Sequence, residues 1–488
     1  MSHFQLDALE LDVLEVLSLV RSVKNSFAPI NRIPSEVLSL IPDYYRGDGA
    51  DQDLIALTHV CRSWRGIFTS RSSLWTRFSF TNTDKTRTYI RRSQTSPLKI
   101  NLSGRFIDDA FALIIPHISR LQSFKTNADD LPRVIGHFRC HTPLLEELTI
   151  SSIRAWVLDN ALFNGDLSSL RELCLYGVIT NFPWKNLSNL QILNLKTFHT
   201  YGTTQILNFL ESAPLLRSVL FGHKTPTPDA PPGRIVSLRH LKAFTMDASP
   251  PHSTLLRHLH IPTGASLISK FHSRVEESML LDYLPERSPN FVNLSHITAI
   301  NLLFESNKTF VRLSGPSGSL RVLNSYMGFD IYTAAHQTFR SLGPVISTIT
   351  RLAILGYKRP APVRIEHCPI FQTLSSANHL RTLILTDCPN PVFARALDPE
   401  QNLSKLVPCF NIKELVLYDK FWYVCLDDLV KMAKNRASRG AKLASITIID
   451  LGGFSAPPGV LNLMEHVTRV EYKTADTSPV WDDVPGDG

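Results

Sequence analysis

The chain has 488 residues, 43% hydrophobic and 19% charged, with a net charge of +8, a pI near 9.1 and a mean hydropathy of −0.01. That balance suits a globular protein with room for a small domain and a large one. No run of about eighteen apolar residues occurs, so no membrane-spanning helix is expected. The opening segment, MSHFQLDALELD, is acidic and lacks the basic start of a secretory signal. Seven cysteines (Cys61, Cys140, Cys174, Cys368, Cys388, Cys409 and Cys425) are scattered without a CxxC pair. Such a set predicts reduced thiols and an intracellular protein of the cytoplasm, the nucleus or both. The positive charge permits attraction to anions. Its tightest group, Lys85, Arg87, Arg91 and Arg92, reads as a solvated helix face. With no dense basic block and no recognised module, nucleic acid is not the expected partner.

Residues 1–29 are expected to form an amphipathic N-terminal helix. Leu6, Leu9, Val13, Val16, Val20 and Val23 alternate at spacings of three and four, as in a heptad seam. The seam spans fewer than three heptads. Packing on a neighbouring part of the chain is therefore expected ahead of self-association.

Residues 30–80 read as a small helical module. Pro34 sits at a helix start, where its missing N–H costs nothing, and Glu36 falls in the first turn. Ile33, Val37, Leu38, Leu40 and Ile41 follow at helical spacing, and Pro42 stops the run. A polar loop, Arg46 to Gln52, precedes Asp53, a candidate cap for a second helix. In that helix Leu54, Leu57, Val60, Cys61, Trp64 and Ile67 would share a face. Leu74 and Trp75 form a third apolar anchor. So many apolar residues exceed what a unit of this size buries easily. They either pack on the rest of the chain or leave an exposed patch for a partner.

The order Ile33-Pro34-x-Glu36, Val37-Leu38, Ile41, Asp53-Leu54, Val60-Cys61, Trp64-Arg65 and Leu74-Trp75 resembles the F-box. That motif docks on the Skp-type adaptor of cullin-based ubiquitin ligases. Ile33 stands where the family has Leu, and the loop Tyr45 to Gln52 is longer than usual. The wording of the stretch is similar to fungal F-box-like proteins with degenerate leucine-rich tails. The resemblance implies adaptor binding through Pro34, Leu38, Ile41, Leu54, Val60, Trp64 and Trp75, and through the adaptor a cullin.

Residues 97–473 carry a repeated aliphatic-x-x-aliphatic-x-aliphatic motif. Starts at Leu121, Leu145, Leu170, Leu190, Leu216 and Leu241 lie 20 to 26 residues apart. Starts at Ile349, Leu380, Ile412, Leu443 and Val467 lie 24 to 32 apart, and further copies begin at Leu256, Ile297 and Leu320. The period of two inside each copy predicts a short strand with one buried face. Return segments such as Thr203–Ala213 and Leu426–Arg439 read as helices. One strand and one helix cannot bury their apolar faces alone, so neighbours should stack. The expected fold class is α/β: the helical module, then an irregular leucine-rich-repeat solenoid with parallel strands inside and helices outside. The stretch 256–296 fits worst. Residues 474–488 read as an acidic disordered tail.

Residues between the repeat aliphatics would line a concave face and hold an unknown protein target. Glu147, Glu172, Tyr176, Lys196, Asp247, Arg351, Glu414 and Tyr418 are the candidates, with His258 and His260 beside them. Their mixed chemistry suits a protein or peptide more than a polyanion. No nucleophile elbow and no phosphate cradle occur, and Gly315-Pro316-Ser317-Gly318 reads as a turn. His137, Cys140 and His141 lack a distal pair of ligands. No catalytic residue, metal or cofactor is expected. The reading is a non-catalytic substrate receptor of a ubiquitin ligase, with an interaction scaffold as the alternative and a basic nucleic-acid-binding solenoid behind it.

Overall fold

A computed structural model describes residues 3–42, 51–80, 82–102, 112–127, 139–158, 163, 167–180, 187–196, 201–223, 227–248, 253–262, 264–272, 297–305, 308–316, 318–325, 348–356, 377–388, 390–401, 409–419, 426–451 and 459–474. The chain divides into two compact units, Met1–Ile192 and Leu193–Gly488. The tail 475–488, the loop 43–50, His137, Cys368, Cys425 and the stretch 273–296 lie outside the described residues.

The first unit begins with helix His3–Ser26, a 3-10 turn at Pro29–Arg32 and short helices Ser35–Leu38, Asp51–Thr58 and Arg62–Ser70. A second 3-10 turn, Ser72–Trp75, leads to strand β1 (Arg77–Ser79). Helix Thr83–Ser93 then crosses to β2 (Leu98–Leu102), followed by β3 (Leu121–Asn127), β4 (Glu147–Leu158) and β5 (Glu172–Thr180). Each of these strands pairs in parallel with the next. The crossover helix is capped by Asn82, whose side chain accepts from the Lys85 N–H at 2.8 Å.

The second unit carries β6 (Ile192–Lys196), β7 (Ser218–His223), β8 (Val236–Ser237), β9 (Ala243–Ala248), β10 (Leu259–His260) and β11 (Ser266–His272). It continues with β12 (Ala299–Glu305), β13 (Lys308–Gly315), β14 (Gly318–Ser325), β15 (Arg351–Leu355) and β16 (Thr382–Thr386). The last strands are β17 (Glu414–Asp419), β18 (Ser445–Asp450) and β19 (Arg469–Thr474). Their ladder runs β7, β9, β11, β14, β13, β12 and then β15 to β19 in order. Helices Thr203–Ser212, Asn390–Leu397, Leu426–Ser438 and Val460–Met464 supply crossovers.

The aliphatic motif shapes many of the strands in the same way. Its first residue closes a turn on the residue three before it. Leu145 donates to Thr142, Leu170 to Leu167, Leu190 to Leu187, Leu241 to Leu238, Leu380 to Ala377 and Ile412 to Cys409. The carbonyl before a strand then accepts two N–H groups from the next copy: Glu146 from Arg171 and Glu172, Lys413 from Ala444 and Ser445. The other motif positions fill the core. Leu148, Ile150, Leu173, Leu175, Leu383, Leu385, Leu415, Leu417, Ile446 and Ile448 are at most 1% exposed. Each buried aliphatic of this kind stabilises by about 1.5–3 kcal/mol. The described fold is thus mixed α/β, with an N-terminal helical region and a large, mostly parallel sheet.

Four expectations need correction. The sheet is not parallel throughout, because β13 runs antiparallel to both β12 and β14. The Gly315–Gly318 turn closes the hairpin between β13 and β14. The helix expected through Leu54–Ile67 is two helices, broken at His59–Cys61. His59 and Val60 bond three residues back and Cys61 is extended (φ −157°, ψ 171°), where Thr, His, Val and Cys are all poor helix formers. Asp53 therefore lies inside helix Asp51–Thr58 rather than capping it. Finally, His258 and His260 are not on the large sheet. The copy at Leu256 forms a short helix, and β10 pairs only with β8 in a separate two-stranded ladder, where His258 Nδ1 bonds the Arg234 carbonyl at 2.8 Å.

Candidate functional site

The helical module is built around two tryptophans with different tasks. Trp64 is 8% exposed, stacks edge-on against Phe68 at 5.5 Å and donates from Nε1 to Asn31 Oδ1 at 2.6 Å. Asn31 in turn donates to the Asn25 carbonyl at 2.6 Å, so one amide joins the Trp64 helix to the end of the N-terminal helix. Trp75 is fully buried and donates to the Phe68 carbonyl at 2.8 Å. Its ring meets Tyr89 at 4.9 Å and carries the Arg92 guanidinium at 4.2 Å. Burial, with Arg91 and Arg65 as like charges, holds Arg92 below its usual pKa. Trp75 thus ties the module to the crossover helix behind it. Arg65 adds a lock across the helix break, donating from Nε to the Thr58 carbonyl at 3.0 Å.

The residues expected to bind an adaptor fall into two groups. Leu38 (2% exposed), Leu54 (3%), Trp64 and Trp75 are interior. They shape the module and present no surface of their own. Pro34 is exposed, with its carbonyl accepting the first bonds of helix Ser35–Leu38 from Val37 and Leu38. Ile41 is half-buried and Val60 is 56% exposed. Two surface residues join them: Val37 at 49% and Leu40 at 44% exposed. Periodicity marked all of these positions as apolar without telling which would be covered.

The sheet face opposite the aliphatic rows carries the candidates for a target. In the first unit, Glu147 and Glu172 stand directly opposite each other. Ser123 donates to Glu147 at 2.8 Å and the Lys99 ammonium lies 3.7 Å away, while Tyr176 sits four residues along β5. Cys174, between them, has its thiol pushed up to about 11 by burial and by the Glu172 charge. In the second unit, Lys196 reaches over Gly222 to Asp247 at 3.2 Å. A Cβ on Gly222 would lie 2.8 Å from the Lys196 stem, so glycine there makes the reach possible. Arg351, Thr382 and Glu414 occupy one row across β15, β16 and β17, with Thr382 donating to Glu414 at 3.0 Å. Tyr418 lies opposite Thr386.

Two residues on this face went unforeseen. Arg312 and Arg321 are direct cross-strand partners on β13 and β14, and Asn301 is the next residue in the row. Both arginines are half-buried. The alternation either side of Gly315-Pro316-Ser317-Gly318 is a hairpin signal that the aliphatic copy beginning at Leu320 overlaps and masks.

Among the described residues no group of three or more His, Cys, Asp or Glu is placed to hold a metal, and no helix is long and apolar enough to cross a membrane. The site therefore consists of two surfaces, one apolar on the helices and one polar on the sheet. No curated protein matches the chain. Residues 30–81 match the F-box-like family, whose domains typically bind Skp-type adaptors and are typically non-catalytic, so the chain carries an F-box-like domain.

Proposed function

We propose that the chain is the substrate-recognition subunit of a cullin-type ubiquitin ligase. The F-box-like match at residues 30–81 carries this reading. The exposed residues Pro34, Val37, Leu40 and Val60, with half-buried Ile41, dock on the Skp-type adaptor, and buried Leu38, Leu54, Trp64 and Trp75 fix their pose. The parallel strands act as a degenerate leucine-rich-repeat solenoid. Its polar face, through Glu147, Glu172 and Tyr176 in the first unit and Lys196, Asp247, Arg351, Glu414 and Tyr418 in the second, holds a target protein. Tethering raises the effective concentration of target lysines at a ubiquitin-charged enzyme, and this chain supplies no nucleophile.

The test is co-purification of the full chain with a Skp-type adaptor, beside a Val37→Asp/Val60→Asp variant. Both valines are exposed, so the variant keeps the module folded, whereas a charge at Trp64 or Leu38 would enter the core. Stoichiometric binding by the parent chain and none by the variant is expected. Absence of binding by a folded parent chain would replace this reading with a scaffold.

A further inference from the structure

The helix His3–Ser26 is 24 residues long and buries none of them. Its single half-buried residue is Ser18, whose hydroxyl accepts from the Arg62 guanidinium. A cavity of about 340 Å³ beside that contact is lined by Leu14, Leu17, Ser18, Arg21 and Ser22 on the helix and by Cys61 and Arg62 on the module. The helix therefore turns a mixed side, centred on Ser18, toward the module.

The heptad seam points the other way. At 3.6 residues per turn, Leu6, Leu9, Val13, Val16, Val20 and Val23 fall within an arc of about 100°, with Ser18 and Ser22 roughly opposite its centre. All six are between 51% and 60% exposed. A helix without tertiary packing is marginal in water, so this one calls for a covering surface.

We propose that the covering surface is the same helix of a second copy of this chain, laid antiparallel. The seam is self-complementary in that sense: Leu6 meets Val23, Leu9 meets Val20 and Val13 meets Val16, each pair occurring twice about a two-fold axis. Charge selects the direction. The first half of the helix carries Asp7, Glu10, Asp12 and Glu15, and the second half carries Arg21 and Lys24. Antiparallel packing sets Glu10 near Arg21 of the other copy, with Lys24 beside them on the same flank of the seam. Parallel packing would set four carboxylates beside four more.

Sedimentation of the full chain across a concentration series tests this. A concentration-dependent shift from 54.9 kDa to about twice that mass is expected. Val13→Asp/Val16→Asp places carboxylates at the centre of the seam, away from any core, and should leave only monomer at every concentration. Glu10→Lys should weaken the dimer several-fold, and adding Arg21→Glu should restore it. A folded parent chain that is monomeric throughout overturns the proposal, as does a dimer indifferent to Val13→Asp/Val16→Asp. A dimer strengthened by Glu10→Lys would mean parallel packing, and either strengthening or indifference overturns the antiparallel pairing. If the parent chain is monomeric and the seam variant loses a Skp-type adaptor, the seam serves that partner and the proposal falls.

Discussion

The helical module and the large sheet solve the problem of burial by opposite means. In the module each large side chain has a separate task. Trp64 bonds Asn31, Trp75 bonds the Phe68 carbonyl, and Arg92 covers the Trp75 ring. No two of these residues could exchange places. In the sheet one aliphatic does the work of the next: Leu383 stands beside Leu352 on one side and Leu415 on the other, with Ile446 beyond. Any branched aliphatic fills such a slot. Residues with separate tasks make a pattern specific enough to match a family at residues 30–81, whereas interchangeable aliphatics tolerate volume-conserving exchange.

If that contrast is sound, the largest loss should come from Trp75→Ala. It removes a fully buried indole, its hydrogen bond and its contacts with Tyr89 and Arg92. The expected cost is about 3–5 kcal/mol, read as a lower urea midpoint for the first unit. A cost near that of an ordinary surface change would mean that Trp75 does not anchor the module.

The sheet should answer differently to two changes at one place. Leu383→Ala leaves a cavity at a site with no exposure and should cost about 2–4 kcal/mol. Leu383→Ile keeps the volume and should cost less than about 1.5 kcal/mol. Equal costs for the two would show that the slots are individually shaped, and the contrast with the module would fail.

Much of this division was legible in the amino-acid order. The aliphatic motif located the strands because one buried face imposes a period of two wherever it recurs. Strand direction was not legible, since Phe310-Val311-Arg312-Leu313 alternates alike in either sense. The helix break was hidden for a related reason. Leu57, Val60, Cys61 and Trp64 keep helical spacing straight across His59–Cys61, so the pattern continues where the backbone does not. Which apolar residues of the module face solvent was hidden too. Leu38 and Leu40 have the same side chain two residues apart, yet one is 2% and the other 44% exposed.

Asn31 tests a contact that no periodicity could have announced. It lies 33 residues before Trp64 and meets it only through folding. Asn31→Ala leaves a largely buried indole N–H without its acceptor, at an expected cost of about 1–3 kcal/mol. Trp64→Phe in the same background should recover part of that loss, because the orphaned donor is then gone. A cost that is the same with and without the indole N–H would show that Asn31 acts through its other bond, to the Asn25 carbonyl.

The smallest effect on stability should belong to Val60→Asp. Val60 follows the last turn of helix Asp51–Thr58, within the segment that interrupts the helical run, and is 56% exposed. A charge there stays in water, so the urea midpoint should move by no more than the equivalent of about 0.5 kcal/mol. Within the F-box-like pattern, by contrast, Val60 sits beside Cys61 and four residues before Trp64. A β-branched aliphatic displayed to solvent in the middle of a helical break gains nothing for the fold of a lone chain. On the proposed reading it contacts the adaptor, so loss of adaptor binding at unchanged stability is the expected pair of results. A fall of more than about 1 kcal/mol would instead place Val60 among the packing residues and move the docking surface toward Val37 and Leu40.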